Sequence, residues 1–326
     1  MTKPMRNSVL TIVFLLFTTI ALSQTKKILR KALKETNPAK QIELYNKVIK
    51  IDNKNLDAYF YRGVAKANLG DHNGAILDFT KVIFFEPNGD TFYNRGNSKF
   101  ELGDFKGANE DYKEAIKMNR GLLIKATFNI GLTHFRLGEF YEALSSFSFI
   151  SRISPEHVGA KLQMGLTLME LGYHERAMLY FDKSVELNKN TYTLYHRGLA
   201  YLELKKFKKA NEDLSLSVRM DKKNKTTYFY LGISQLFCRE YKEANSSFEK
   251  SLKFNALDHD ALIGSAIANY HLKNYEKSKT YFKKAKGILH TQNKDSRDDK
   301  SIFKDSFWNK NEADVFSAYF DKLNSL

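Results

Sequence analysis

The amino-acid sequence predicts an all-α protein built as a solenoid of antiparallel helix pairs. Three observations lead to this fold class. A glycine recurs at a regular spacing, an alanine follows each glycine in constant register, and an aromatic residue follows that alanine one helical turn later. The spacing is about 34 residues, a period typical of helix–turn–helix arrays. The 326 residues also include only 4 prolines and are 43% hydrophobic, which suits a continuous helical core.

The three recurring positions keep step with one another through seven repeats. The glycine column comprises Gly63, Gly96, Gly131, Gly165, Gly198, Gly232 and finally Ala266. The alanine column comprises Ala75, Ala108, Ala143, Ala177, Ala210, Ala244 and Ser278, and the aromatic column Phe79, Tyr112, Phe147, Phe181, Leu214, Phe248 and Phe282. Because antiparallel helices approach closely only at small side chains, glycine is expected on each first helix, alanine on the second, and the ring between them.

The turn inside each pair has its own residue type. Gly70, Gly103, Gly138 and Gly172 stand there and suit a left-handed helix C-cap. In three later repeats Lys205, Arg239 and Lys273 take the same place. We expect those non-glycine residues to adopt the same turn at a modest cost in stability.

These columns resemble the tetratricopeptide repeat family over roughly residues 22–292. The resemblance implies a right-handed superhelical solenoid of about eight repeats. The family's tryptophan near the start of the first helix is replaced here by residues such as Tyr59, Phe92, Leu194 and Tyr228. Residues 24–55 are interpreted as a degenerate N-terminal capping repeat, as arrays require at their ends, and residues 56–292 as seven tetratricopeptide-like repeats.

Both ends of the chain depart from the repeats. Residues 1–23 open with Lys3 and Arg6, continue as an apolar run and end in a small-x-small pattern, which is typical of a secretory signal peptide. The run is shorter than the ~20 residues of a membrane span, although an uncleaved anchor is the alternative. At the other end, 293–310 is predicted to be a charged linker and 311–326 a C-terminal capping helix joined by Trp308. A short docking helix for a partner is the alternative.

The charge of the chain limits the classes of partner. The formal net charge is +15, and removal of Lys3 and Arg6 leaves +13, because residues 1–23 contain no acid. An exported protein of this charge is expected to meet acidic envelope polymer, anionic lipid or an acidic protein rather than nucleic acid, and its basic clusters lack the interleaved aromatics that stack bases. Alternatively, lysine simply solubilises the helices. One cluster, named the basic edge, is predicted on a turn: Lys205, Lys206, Lys208 and Lys209.

The sequence contains no catalytic, cofactor or metal motif that we recognise. It has no glycine-rich phosphate loop, no His-Glu-x-x-His and a single cysteine, Cys238, so neither enzyme activity nor a cofactor is expected. The acidic pairs Glu110–Asp111 and Glu212–Asp213 lie on second helices and are interpreted as solvent-facing. His72 and His174 share one repeat position with phenylalanines. Packing in an aromatic position therefore explains these histidines better than metal binding does.

The resemblance places the candidate site on the concave face of the first helices, where the family receives an extended peptide or a partner helix. Those positions include Tyr61, Asn94, Asn97, Lys125, Asn129, Arg136, His196 and Tyr230. Aromatic and amide groups suit binding through area and hydrogen bonds, whereas packing between adjacent repeats is the alternative for each residue. The predicted function is therefore a non-catalytic protein-binding scaffold, exported to the periplasm, the cell envelope or the medium. Binding of acidic polymer or anionic lipid through basic edges is the second hypothesis.

Overall fold

The computed structural model describes residues 23–292 and 301–326. The predicted signal peptide therefore lies outside the described residues, apart from residue 23, and so does the 293–300 part of the predicted linker. The described residues are helical throughout, with turns and no strand among them. They divide into two compact units, of which one ends at Ala160 and the other begins at Lys161.

The first unit stacks helices in antiparallel pairs. Residues 23–34 (α1) and Pro38–Ile51 (α2) form the capping pair. Three pairs follow: Leu56–Asn68 (α3) with His72–Phe85 (α4), Gly89–Glu101 (α5) with Phe105–Met118 (α6), and Leu123–Arg136 (α7) with Phe140–Ile153 (α8), the last preceded by a 3₁₀ turn at Arg120–Leu122.

The second unit continues the pattern and then adds a C-terminal segment, residues 301–326. Its pairs are Val158–Glu170 (α9, which spans the unit boundary) with His174–Leu187 (α10), Thr191–Glu203 (α11) with Phe207–Met220 (α12), Lys225–Phe237 (α13) with Tyr241–Phe254 (α14), and His259–His271 (α15) with Tyr275–Gln292 (α16). The C-terminal segment comprises a 3₁₀ turn at Ser301–Phe303, Phe307–Asn311 (α17) and Ala313–Asn324 (α18). The predicted all-α fold class is confirmed.

The glycines of the first helices lie against the aromatic side chains of the second helices, as the sequence predicts. A Cβ built on Gly131 would lie 2.6 Å from Cε1 of Phe147, and one on Gly96 would lie 2.9 Å from Cε1 of Tyr112. Both rings are fully buried. Since burying such a ring contributes roughly 1.5–3 kcal/mol, these glycine–aromatic contacts are a main source of stability within each pair.

The repeated Leu-Gly-Asp stretch ends one helix and begins the next. Gly103 has a φ of +80°, which closes α5, and Asp104 then caps α6 by accepting a hydrogen bond from the Gly107 N–H at 3.0 Å. The carboxylate lies so close to Gly107 that a Cβ there would approach Oδ2 to 2.2 Å. The aspartate cap therefore explains the glycine three residues after it. Lys205, Arg239 and Lys273 adopt φ values of 55°, 63° and 60°, so the turn persists without glycine.

The C-terminal segment differs from its prediction. Ile302, Phe303 and Trp308 are completely buried, so the cap begins at Ser301, inside the predicted linker, rather than at residue 311. The aromatic residues there bury too much apolar surface to remain in a solvated linker. Among the helices in the described ranges, none is long and apolar enough to cross a membrane.

Candidate partner-binding groove

The groove face is defined by the first-helix residues that lie two positions before the glycine column. In the first unit these are Tyr61, Asn94 and Asn129, and in the second unit Gln163, His196, Tyr230 and Gly264. The glycine column contacts the second helix of its own pair. A position two residues earlier is rotated by about 200° around the helix axis, so these side chains leave from the side opposite the second helices.

In the first unit, two of the predicted amides are engaged in a network between repeats. Asn97 Oδ1 accepts hydrogen bonds from the Tyr112 hydroxyl and from Asn129 Nδ2, each at 2.9 Å. Asn129 Nδ2 also donates to the Tyr93 hydroxyl at 3.2 Å. Burial raises the pKa of Tyr112, which keeps its hydroxyl a donor. Asn97 and Asn129 therefore link α5, α6 and α7. Their contacts are those of packing between adjacent repeats, the alternative to partner binding for these residues.

The other predicted groove residues of the first unit present their side chains differently. Asn94 Nδ2 donates to the Asp90 carbonyl oxygen at 2.8 Å within α5. Tyr61 stacks on Tyr45 with ring centroids 6.1 Å apart. Lys125 and Arg136 are exposed near the two ends of α7. This face thus offers an aromatic ring, an amide and two cations to a binding partner.

In the second unit, His196 lies among aromatic rings. Its ring centroid is 4.4 Å from that of Tyr192 and 5.1 Å from that of Tyr195. Tyr195 in turn contacts Tyr230 at 6.1 Å. Burial lowers the pKa of His196 to about 4, because removing the imidazolium from water is unfavourable. This part of the groove is therefore neutral and aromatic at physiological pH.

The C-terminal segment occupies the groove face of α13 and α15. The Phe307 ring packs edge-on against Phe229 and Tyr230, at 5.4 and 6.3 Å between centroids. The Phe307 N–H donates to Asp260 Oδ1 at 2.9 Å, and the Trp308 indole Nε1 donates to the Asp260 carbonyl oxygen at 2.8 Å. Tyr230, a predicted partner-binding residue, is thus covered by the chain itself.

A cavity of about 410 Å³ remains where α17 approaches α11 and α13. Its apolar wall consists of Leu199, Leu202 and Ile233. The cavity is also lined by Glu203 and Glu312. Burial raises the pKa of Glu312, and nearby Lys205 opposes that change. The C-terminal segment leaves the groove face of α11 uncovered, and that part of the groove ends at this cavity.

The basic edge surrounds the start of α12, and one of its members, Lys205, also lines the cavity at the end of the groove. Lys205 forms the turn, Lys206 is the N-cap, and Lys208 and Lys209 lie in the first helical turn; all four are exposed. The Lys209 ammonium lies 5.6 Å from the centre of the Tyr201 ring.

Buried ion pairs are a feature that the sequence interpretation missed. Asp111 and Asp213 are buried and paired with arginines, so interpreting them as solvent-facing is wrong. Arg197 donates to both oxygens of Asp213 at 2.6 and 2.8 Å, and this pairing raises the pKa of Arg197. In the described ranges, no group of three or more His, Cys, Asp or Glu side chains is placed to hold a metal ion.

Comparison with known proteins agrees with this architecture. Tetratricopeptide repeat family profiles match residues 93–155, 158–191 and 192–224. The chain contains tetratricopeptide repeats. A solved tetratricopeptide repeat protein from Parabacteroides merdae superposes with a TM-score of 0.61 at 17% identity, over 81% of this chain and 99% of that one. At this identity the likeness concerns the fold of the tetratricopeptide array.

Two curated relatives match parts of the array. BBSome complex member BBS4 of Mus musculus is 30% identical over 112 residues, which is 34% of this chain and 21% of that protein. TPR repeat-containing protein MJ1428 of Methanocaldococcus jannaschii is 26% identical over 193 residues, or 56% of this chain and 34% of that protein. The chain thus spans between a fifth and about a third of the length of these relatives.

Proposed function

We propose that this protein is a non-catalytic scaffold that binds a peptide or helix of another protein on the groove face of its first helices. Tetratricopeptide repeats generally mediate binding between proteins. The single observation that carries the proposal is the position of the chain's own C-terminal segment on the groove face of α13 and α15. A surface that binds an aromatic segment of its own chain has the chemistry to bind one from a partner.

The contacts of that segment indicate how the groove recognises a peptide. Asp260 accepts a backbone N–H through its side chain, which any peptide offers, while Phe229 and Tyr230 supply aromatic area. Backbone hydrogen bonds of this kind contribute affinity, and the aromatic contacts contribute specificity.

The first unit carries a related but different set of groups. Asp57 and Asp90 occupy the repeat position of Asp260, six residues before the glycine column, whereas α7 has Lys125 there. Asp57, Asp90 and Lys125 are all exposed. A peptide crossing this face would meet two acceptors for its N–H groups and then a cation for a carbonyl or carboxylate oxygen. We infer that the first unit binds an extended peptide with an acidic group toward α7.

Site-specific photo-crosslinking tests the groove proposal. A benzophenone amino acid at position 94 lies on the groove face, and the same group at Glu110 is an exposed control on the second helix α6. Protein adducts that form from position 94 and not from position 110 are expected. Lys125→Glu should reduce these adducts, since it inverts the charge of the proposed contact. Equal adduct formation from both positions would contradict the groove assignment.

The cellular location is a proposal that rests on residues 1–23. The charged start, short apolar run and small-x-small ending favour export to the periplasm or cell envelope and cleavage between Ser23 and Gln24. Intact-mass measurement of the exported protein should give a chain that starts at Gln24. A membrane-bound chain that still starts at Met1 would contradict cleavage.

Binding of acidic envelope polymer or anionic lipid through the basic edge is the second candidate. The supporting observation is that its four exposed lysines surround the start of α12, where the partial positive charge of a helix N-terminus adds to theirs. Changing Lys205, Lys206, Lys208 and Lys209 to Gln should weaken such binding, which should also fall with added salt. Loss of a protein partner in this variant, with Asn94→Ala and Lys125→Ala without effect, would favour the basic edge over the groove.

A further inference from the structure

A row of exposed apolar side chains lies at the opposite edge from the turns within pairs. This loop edge consists of the last residue of each second helix and the connection that follows it. In the first unit the row is Ile51, Phe85, Met118 and Ile153, which are 37, 64, 53 and 45% exposed. In the second unit, Met220, Phe254 and Leu257 are exposed at the same kind of position. Phe85, Met118, Met220 and Leu257 are more than half exposed, so core packing covers less than half of their surface.

Basic side chains alternate with this row. In the first unit Lys50, Lys117 and Arg152 each precede an apolar member, and Lys54 and Arg120 lie in the connections; all five are exposed. The acidic residues of the same stretches are Asp52, Glu86 and Glu156, so five basic residues face three acidic ones. Exposed Lys117 is also paired with Glu114, whose position lies three residues earlier on α6. Within these stretches the loop edge of the first unit is therefore apolar and carries a small excess of basic residues, and the exposed Asp57 and Asp90 follow in the first turns of α3 and α5.

The end of α4 carries the most exposed part of the row. Phe84 is 79% exposed, and its ring lies edge-on to that of Phe85, with centroids 4.9 Å apart. Phe85 also lines a hollow of about 460 Å³ with Leu56, Lys54 and Lys81. Glu86 and Pro87, which follow, are exposed as well. Two adjacent phenylalanines thus project at the corner between α4 and α5.

We propose that the loop edge of the first unit docks on the surface of an anionic lipid bilayer. Phe84 and Phe85 insert at the interface between headgroups and acyl chains, and Lys50, Lys54 and Arg120 lie at the level of the headgroups. Aromatic side chains and lysines are favoured in this arrangement at membrane interfaces. Docking through this edge leaves the groove face accessible, so the inference is independent of the proposed scaffold function.

The distribution of side chains favours lipid over a second protein. Apart from the Phe84–Phe85 pair, each apolar residue of the row in the first unit stands alone in its repeat and directly follows a basic residue, whereas the core of a protein–protein interface is depleted of lysine. A bilayer accepts isolated apolar side chains and neutralises the cations between them. The alternative occupant, a second copy of this chain, is distinguished by the experiments below.

The fluorescence of a tryptophan introduced at position 84 reports on contact between the loop edge and lipid in the full chain. The vesicles mix one part phosphatidylglycerol with two parts phosphatidylcholine. When they are added, the emission of the Phe84→Trp variant should shift to the blue, and brominated lipid in the vesicles should quench it. The native Trp308 is completely buried and supplies a constant background. Leu77→Trp is the matched control, because Leu77 is 72% exposed on the same helix but two turns from its end. Quenching at position 84 well above that at position 77 is expected, and it should fall with added salt.

Vesicle co-sedimentation measures the contribution of the two rings. The double variant Phe84→Ser with Phe85→Ser should partition at least roughly tenfold less into the anionic vesicles, because two apolar side chains are removed from the interface. The control double variant Leu77→Ser with Leu179→Ser removes two other exposed residues and should bind as the unaltered chain does. The apolar run of residues 9–22 is the same in every chain, so it cancels from each comparison.

Two results would overturn the inference. The first is emission at position 84 that vesicles leave unchanged, together with equal sedimentation of both double variants. The second is concentration-dependent dimerisation of the unaltered chain, by analytical ultracentrifugation, that Phe84→Ser with Phe85→Ser abolishes while no variant differs in vesicle binding. That second result would assign the loop edge to a second copy of the chain.

Discussion

Arg95 holds the carboxylate of Asp111 through two hydrogen bonds, from Nε to Oδ2 at 2.8 Å and from Nη2 to Oδ1 at 2.7 Å. The carboxylate is 4% exposed, and Lys99 adds a third contact at 2.9 Å. Arg62–Asp78 and Arg197–Asp213 repeat this geometry in other pairs. The arginine of the repeated Arg-Gly stretch therefore fixes the second helix of its pair by a bidentate bond.

Breaking this ion pair from one side should destabilise the protein more than replacing both partners. Asp111→Ser removes the counter-ion of the largely buried Arg95 guanidinium, and we expect a loss of about 2–4 kcal/mol. The α7–α8 pair has Ile130 and Ser146 at the same two positions. Arg95→Ile with Asp111→Ser should therefore recover part of the loss. Urea unfolding of the unaltered chain, Asp111→Ser, Arg95→Ile and the double variant gives the coupling energy. A double variant less stable than Asp111→Ser would contradict the prediction.

The left-handed turn residues predict a gain in stability. Arg239 and Lys273 adopt positive φ, where a side chain costs about 1–2 kcal/mol relative to glycine. Arg239→Gly should therefore raise the urea midpoint. Arg239→Ala is the matched control, because it removes the charge and the long side chain but keeps Cβ. Equal stability of the Gly and Ala variants would show that backbone conformation is not the source of the effect.

The contact between Gly131 and Phe147 predicts a steep response to one methyl group. Gly131→Ala places Cβ 2.6 Å from the buried ring, and overpacking of this kind costs about 1–3 kcal/mol. Gly287→Ala is the control within a helix, since no atom lies within 4 Å of the added Cβ, and it should stabilise by up to ~1 kcal/mol. Hydrogen exchange should accelerate in α7 and α8 only for the first variant; unchanged protection there would contradict the placement.

The repeats could be predicted from the sequence because their determinants are local. The glycine, alanine and aromatic columns and the turn residues lie within one helix pair, and a single period links them. The buried aspartates escaped prediction because Asp111 and Asp213 each follow a glutamate on a charged helix. A signal was present: arginine precedes the glycine column only in the three repeats where aspartate precedes the aromatic column. The joint occurrence of arginine and aspartate in the same repeats indicates that the two side chains contact each other.

The position of the C-terminal segment could not be predicted in the same way. The apolar stripe of α18 indicates that the helix is buried on one side, but not which surface covers it. Phe307 contacts Phe229 and Tyr230, which lie far earlier in the chain, and the repeat pattern contains no information on that contact. The groove residues are a mixed case: the repeat places Asn129 correctly on the first helix, whereas its bonds to Asn97 and Tyr93 depend on packing between repeats.

The neutral His196 predicts that stability depends on pH. Its pKa is about 4 in the folded protein, because burial disfavours the imidazolium, against about 6.5 in an unfolded chain. Between these values the unfolded chain binds more protons, so the free energy of unfolding falls as the pH decreases through this range. His196→Phe keeps an aromatic ring beside Tyr192 and Tyr195 and removes the titration. We expect it to abolish roughly 1–2 kcal/mol of the stability lost between pH 7 and pH 5. Urea unfolding of both proteins at the two pH values measures this difference, in which the carboxylates common to both chains cancel. An equal loss in both proteins would show that His196 is protonated without opposition from burial, and that this part of the groove is open to water.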